Sequence, residues 1–142
     1  MAKIMKKLGL WSSSNNTDLS TEERNLLSVA YKNVIGFRRS AWRSLNEPQN
    51  PEDAKYSDLV SSFRTKVEKE LDNICAEVID LLENYLVKNG ESNGAVEEAR
   101  VFYLKMLGDY WRYRAESASD SSGYNTSAQQ SYEAAMNLAE KH

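Results

Sequence analysis

The 142-residue sequence is poor in the side chains on which much protein chemistry depends. It contains one cysteine, Cys75, and one histidine, His142, at the last position. A structural zinc site takes about four Cys or His ligands, and a Ser or Cys nucleophile of the triad type needs a histidine beside it as base. Neither can be assembled from this inventory, so no metal, cofactor or disulfide framework is expected. The carboxylates are numerous, yet no pair is placed to act as general acid and base, and an enzyme is not expected. No run of about eighteen apolar residues exists to span a membrane. Lys3, Lys6 and Lys7 interrupt the opening segment where a signal peptide would be continuously apolar, so an intracellular protein is expected, in the cytoplasm and also in the nucleus. There is no excess of positive charge either. Eighteen Lys and Arg stand against 21 Asp and Glu, for a formal net charge of −3, which gives no overall field for a nucleic acid.

Breakers are equally scarce. Only Pro48 and Pro51 occur, and the six glycines lie mostly between long stretches of helix-forming residues. The hydrophobic spacing is helical throughout and no strand-like alternation competes with it. Ser20 followed three residues later by Glu23 has the spacing of a capping box, which starts a helix near Thr21. That helix is expected to reach Leu45, a second to run from Pro51 to Lys88, a third from Ala95 to Ser117 and a fourth from Thr126 to Lys141. The second would be roughly 57 Å long at 1.5 Å per residue, which favours an open antiparallel array over a tight bundle. The fold class is therefore all-α, with about four long helices. Residues 1–18 are read as a tail, disordered or a short helix, with Ser12 to Asn16 as a polar linker, and residues 19–142 as one helical domain. A solvated tail and a short membrane-surface helix built on Ile4, Leu8 and Trp11 are both open readings of the start.

One constellation of charges stands out. Lys32, Arg39 and Arg43 are spaced i, i+7, i+11 and share one stripe of the first long helix. Asn25, Ser28 and Gly36 flank the stripe and leave room above it, while Leu27, Ala30, Val34, Phe37, Ala41 and Leu45 are assigned to the apolar back. On the third helix Lys105, Asp109, Arg112 and Glu116 form a second stripe, with Tyr113 beside Arg112. Two such stripes facing each other would make a basic pocket. Arg39 and Arg43 repel each other by a few tenths of a kcal/mol, so Asp109 or Glu116 is expected to hold them. Guanidinium forks match phosphate oxygens bidentately, and a phosphorylated Ser or Thr carries the required charge. From spacing alone, the same stripes fit an ordinary solvated face equally well. Trp42, Tyr103, Tyr110 and Trp111 are read as packing residues, and Cys75, amid Ile74, Val78 and Ile79, as buried.

Two long segments carry a resemblance. Glu22 to Gly36, continued by Arg38-Arg39-Ser40 and Trp42-Arg43, resembles the third helix of the 14-3-3 family of phosphopeptide-binding adaptors. Val101-Phe102-Tyr103-Leu104-Lys105-Met106, then Gly108-Asp109-Tyr110 and Arg112-Tyr113, resembles the fifth. Similarity extends from about Leu19 to Lys141, the family's third to sixth helices. The resemblance implies a non-enzymatic adaptor in signal transduction whose partners are proteins phosphorylated on serine or threonine. It gives the phosphate-binding role to Lys32, Arg39, Arg112 and Tyr113, with Arg43, Lys105 and Asp109 supporting the pocket. Phe63, Lys66 and Glu70 match dimer-contact positions, which implies a homo- or heterodimer with other family members.

Departures from the family pattern add expectations. The first twenty or so residues match neither of the helices that precede the third in the family, and Ala41 stands where some members carry a phosphorylatable serine. The helices that complete the far wall of the family's groove have no counterpart here. The alternative expectation is accordingly a truncated interaction fragment that associates with complete members without binding phosphopeptide itself.

Overall fold

A computed structural model describes residues 2–14, 19–45, 56–86, 94–118 and 121–141. Within them the chain forms α1 (Ala2–Ser14), α2 (Thr21–Leu45), α3 (Ser57–Leu81), α4 (Gly94–Ser117) and α5 (Ser122–Glu140). There is no strand among the described residues, and the all-α expectation holds.

The start of α2 follows from its capping box. The Glu23 backbone N–H donates to Ser20 Oγ at 3.2 Å and the Ser20 N–H to Glu23 Oε1 at 3.3 Å, so two of the orphan donors of the first turn are satisfied. Next to this cap Arg24 is only 7% exposed. Its guanidinium donates to Thr21 Oγ1 at 3.2 Å and lies 5.8 Å from the Phe102 ring centroid.

Contacts between helices fix their directions. Trp42 Nε1 donates to Glu68 at 3.1 Å, and Arg38 pairs with Glu70 at 3.3 Å, so α2 and α3 run antiparallel. Arg24 against Phe102, Arg39 against Tyr113 and Arg43 against Glu116 keep the same order along α2 and α4. Those two helices therefore run in the same direction, both flanking α3. Arg114 joins α4 back to α3 through Asp72 at 2.7 Å, and its guanidinium also lies 4.7 Å from the Tyr124 ring centroid on α5.

The core is built from Leu27, Tyr31 and Ile35 of α2, Leu71, Cys75 and Val78 of α3, and Tyr103, Leu107 and Tyr110 of α4, all buried. Burial pushes the Cys75 thiol up to about 12, which leaves it protonated and unreactive at neutral pH. Tyr103 and Tyr110 are packing residues as expected, and Trp42 and Trp111 lie partly buried against the core. The most extensive helix pair is α4 with α5. Gly108 makes this close approach possible: a Cβ there would stand 2.8 Å from the Tyr132 ring.

Three features differ from the sequence reading. Residues 2–14 form the short helix that is one of the two readings of the start, but it is no tail: Met5 is buried in the core and Lys6 pairs with Glu77 at 2.7 Å. Ser12 to Ser14, read as linker, finish that helix, whereas Asn15 and Asn16 lie outside the described residues. The second expected helix does not continue regularly to Lys88. Its turn widens at Leu82–Leu86 into a π-helical turn, which lets the consecutive Leu81 and Leu82 both stay buried; its expected start at Pro51 and end at Lys88 fall outside the described residues. Finally, α5 begins at Ser122 rather than Thr126, because Tyr124 stacks on Trp111 with centroids 5.6 Å apart and draws the earlier residues into the helix.

Candidate functional site

The two charge stripes face each other. The parallel course of α2 and α4 places Lys32, Arg39 and Arg43 opposite Lys105, Asp109, Arg112, Tyr113 and Glu116, around three adjoining concavities. The first, about 190 Å³, has Lys32, Lys105, Asp109 and Tyr113 in its wall. The second, about 400 Å³, lies above Gly36 between Lys32, Arg39 and Tyr113. The third, about 510 Å³, is bounded by Arg39, Arg43, Arg112, Glu116 and Asn125. Shared residues join them into one groove, in which five cations meet two carboxylates.

Of the two carboxylates offered as anchors for the arginines, Glu116 fills that role. Its Oε2 accepts from Arg39 Nη2 and its Oε1 from Arg43 Nε, both at 2.8 Å. One carboxylate thus bridges two cations a helical turn apart and offsets their repulsion. Partial burial tends to raise the Glu116 carboxyl, but the hydrogen bonds from Arg43 and Arg39 outweigh it and hold the group below its ordinary value. The hydrogen bond and charge of Glu116 in turn hold Arg43 above its ordinary value.

Asp109 is occupied differently. It accepts a short hydrogen bond from the Tyr132 hydroxyl on α5 and lies 3.9 Å from Arg112. Burial, then the bond to Asp109, pushes the Tyr132 hydroxyl above its ordinary value, so it remains a donor. Arg112 is raised chiefly by the electrostatic influence of Tyr132, against the opposing effect of burial.

Tyr113 is the hinge of the arrangement. The Arg39 guanidinium lies 4.0 Å from its ring centroid and that of Arg112 lies 5.6 Å away, within the range of cation–π attraction. Its ring also meets Tyr110 edge-on at 5.3 Å. Arg39 is thus held by Glu116 at one nitrogen and by an aromatic face, and its Nε has no hydrogen-bond partner among the described residues. Such a guanidinium is held in one orientation by its surroundings.

Every expected pocket residue therefore lines this groove. Phe63, Lys66 and Glu70 do not; they stand along α3. Phe63, 53% exposed, and Lys66 border a separate concavity of about 560 Å³ with Leu45, Leu59 and Val60, while Glu70 pairs with Arg38. One assignment on α2 is corrected. Phe37, placed on the apolar back, is 82% exposed and borders the second concavity. The buried arc of α2 is centred on Leu27, Tyr31 and Ile35, which turns Phe37 out of the core. Asn125 and Tyr132 were missed because both belong to α5, where nothing in the spacing links them to the stripes; the small residue Gly108 in α4 was the one available sign of close packing by a neighbouring helix.

A sequence model of the 14-3-3 family, described as 14-3-3 protein, matches residues 1–142. The chain belongs to the 14-3-3 family. The matched region includes the opening residues that the resemblance had left aside, and hence α1. Among curated 14-3-3 relatives, "14-3-3 protein beta/alpha-1" of Oncorhynchus mykiss is 43% identical over 145 residues, covering 99% of this chain and 56% of the relative. "14-3-3-like protein 2" of Caenorhabditis elegans is 46% identical over 143 residues, 98% of this chain and 54% of the relative. "14-3-3 protein beta/alpha-A" of Xenopus laevis is 48% identical over 126 residues, 86% and 50% respectively. The chain thus spans about half the length of the curated relatives it matches.

Proposed function

We propose that this chain binds segments of partner proteins phosphorylated on serine or threonine and serves as a non-catalytic adaptor in signal transduction. The observation that carries this reading is the convergence of Arg39 and Arg112 on the face of Tyr113, with Lys32 and Lys105 farther along the same groove. A phosphate brings about −1.5 to −2 charges and three acceptor oxygens. Lys32, Arg39 and Arg112 neutralise it, and the Tyr113 hydroxyl donates a hydrogen bond. Arg43 and Lys105 extend the positive field along the groove. Glu116 keeps Arg39 and Arg43 extended, and Asp109 steadies the Arg112 side of the groove.

Titration of a fluorescent phosphoserine peptide against its unphosphorylated twin tests this. Charge-assisted hydrogen bonds are worth about 1.5–3 kcal/mol each, so Arg39→Ala combined with Arg112→Ala should weaken phosphopeptide binding by more than about 100-fold. Equal binding of the two peptides, or indifference to the double substitution in a variant whose helical circular dichroism is intact, sinks the reading.

The apolar concavity of Leu45, Leu59, Val60 and Phe63 favours a second reading, in which the chain acts by associating with other 14-3-3 proteins, itself included, through this face. That reading requires a stable homo- or heteromer and tolerates loss of the basic stripe.

A further inference from the structure

We infer that Asn125, on the first turn of α5, is a further ligand-contacting residue, which accepts a hydrogen bond from the ligand's backbone N–H beside the phosphorylated residue. This rests on the reading of the groove as a phosphopeptide seat.

The argument is one of donors and acceptors. Asn125 borders the third concavity together with Arg39, Arg43, Arg112 and Glu116. Guanidinium groups only donate, which suits phosphate oxygens and leaves a peptide N–H with nothing to meet. Each oxygen of Glu116 already accepts from an arginine. Asn125 is the side chain on this wall whose accepting oxygen is unengaged, since its amide makes no hydrogen bond among the described residues; only its backbone N–H is engaged, donating to the Ser121 carbonyl at 2.9 Å. Free phosphate has no N–H to offer, whereas a phosphopeptide has one on either side of the phosphoresidue. Asn125 therefore distinguishes the peptide from its phosphate. The side chain is exposed, and asparagine is a mediocre helix former, so local stability gives no reason for it there.

Two probes separate the contributions: a nine-residue peptide with a central phosphoserine, and phenyl phosphate, which carries the phosphate without any N–H. Asn125→Ala should weaken the peptide about five-fold, ~1 kcal/mol, and leave phenyl phosphate unchanged; the substitution removes no internal contact and favours the helix. Unchanged peptide affinity overturns the inference, as does an equal loss for both probes, which would place Asn125 at the phosphate itself. A wild-type chain that does not prefer the phosphopeptide over its unphosphorylated twin overturns the seat and this inference together, a result distinct from selective failure of Asn125→Ala.

Discussion

Helix α2 borders a charged groove and an apolar concavity of opposite character. Along its middle, facing α4, the side chains are charged and restrained: Arg39 by Glu116 and the Tyr113 ring, Arg43 by Glu116, and Asp109 across the way by Tyr132. At its C-terminal end, facing the start of α3, Leu45 meets Leu59, Val60 and Phe63 in a concavity lined mainly by apolar side chains, where Leu59 is 71% exposed and Phe63 53%. A restrained charged wall suits a small ligand whose geometry must be matched before binding. An uncovered apolar wall suits a large, less directional surface. The contrast shows one helix presenting a restrained, charged stretch and an uncovered, apolar one.

One restraint of the charged wall, that of Asp109 by Tyr132, depends on α5 lying close to α4, and this is where the comparison can be broken most forcefully. Gly108→Ala puts a Cβ 2.8 Å from the Tyr132 ring. The ring cannot yield without lengthening its hydrogen bond to Asp109, so overpacking of about 1–3 kcal/mol is expected. Urea denaturation should show the midpoint falling with little change in slope. A loss under about 0.5 kcal/mol, the usual range for a surface substitution, would mean that α5 is not locked against α4 at Gly108.

A smaller effect is expected at the carboxylate that holds the arginines. Glu116→Gln removes the charge and keeps the shape. Through the partly buried Arg39 pair it should cost at most about 1 kcal/mol. Because the folded Glu116 carboxyl lies below its ordinary value of 4.5, its contribution is fully present above that pH and is lost as the pH falls through the folded value. Wild type and Glu116→Gln should therefore differ in thermal midpoint at pH 7 and converge in strong acid. A difference that persists or grows under acid contradicts the assignment of Glu116 as the clamp.

How much of this was readable beforehand follows the same division. The start of α2 was legible because a capping box is local: Ser20 and Glu23 need only each other. The charged stripes were legible because Lys32, Arg39 and Arg43 recur at helical spacing, as do Lys105, Asp109, Arg112 and Glu116. The direction of pairing was not, since whether Glu116 or Asp109 meets the arginines depends on the register of α2 against α4, which α3 fixes from between them. Phe37 was misread for a related reason: periodicity finds an apolar arc, but packing decides its centre, and Tyr31 and Ile35 pulled that centre away from Phe37. The contribution of α5 was illegible because Tyr132 meets Asp109, and Asn125 borders the groove, from a helix whose packing on α4 no spacing within the stripes encodes.

The smallest stability effect should come from the apolar wall, and there its meaning reverses. Leu59 and Leu71 lie on the same helix, yet Leu71 is 1% exposed and Leu59 71%. Leu71→Ala would leave a cavity and cost about 2–5 kcal/mol, whereas Leu59→Ser should stay within about 0.5 kcal/mol in the monomer. The substitution at Leu59 should instead be read in sedimentation, alone and mixed with a full-length 14-3-3 relative. If the concavity is an association face, Leu59→Ser combined with Phe63→Ser lowers the apparent mass of any homo- or heteromer while phosphopeptide affinity stays at the wild-type value. If the wild type associates and the doubly substituted variant keeps the same apparent mass, association does not use this wall. Loss of phosphopeptide binding in the same variant would overturn the division of α2 into two independent stretches, because neither residue borders the charged groove.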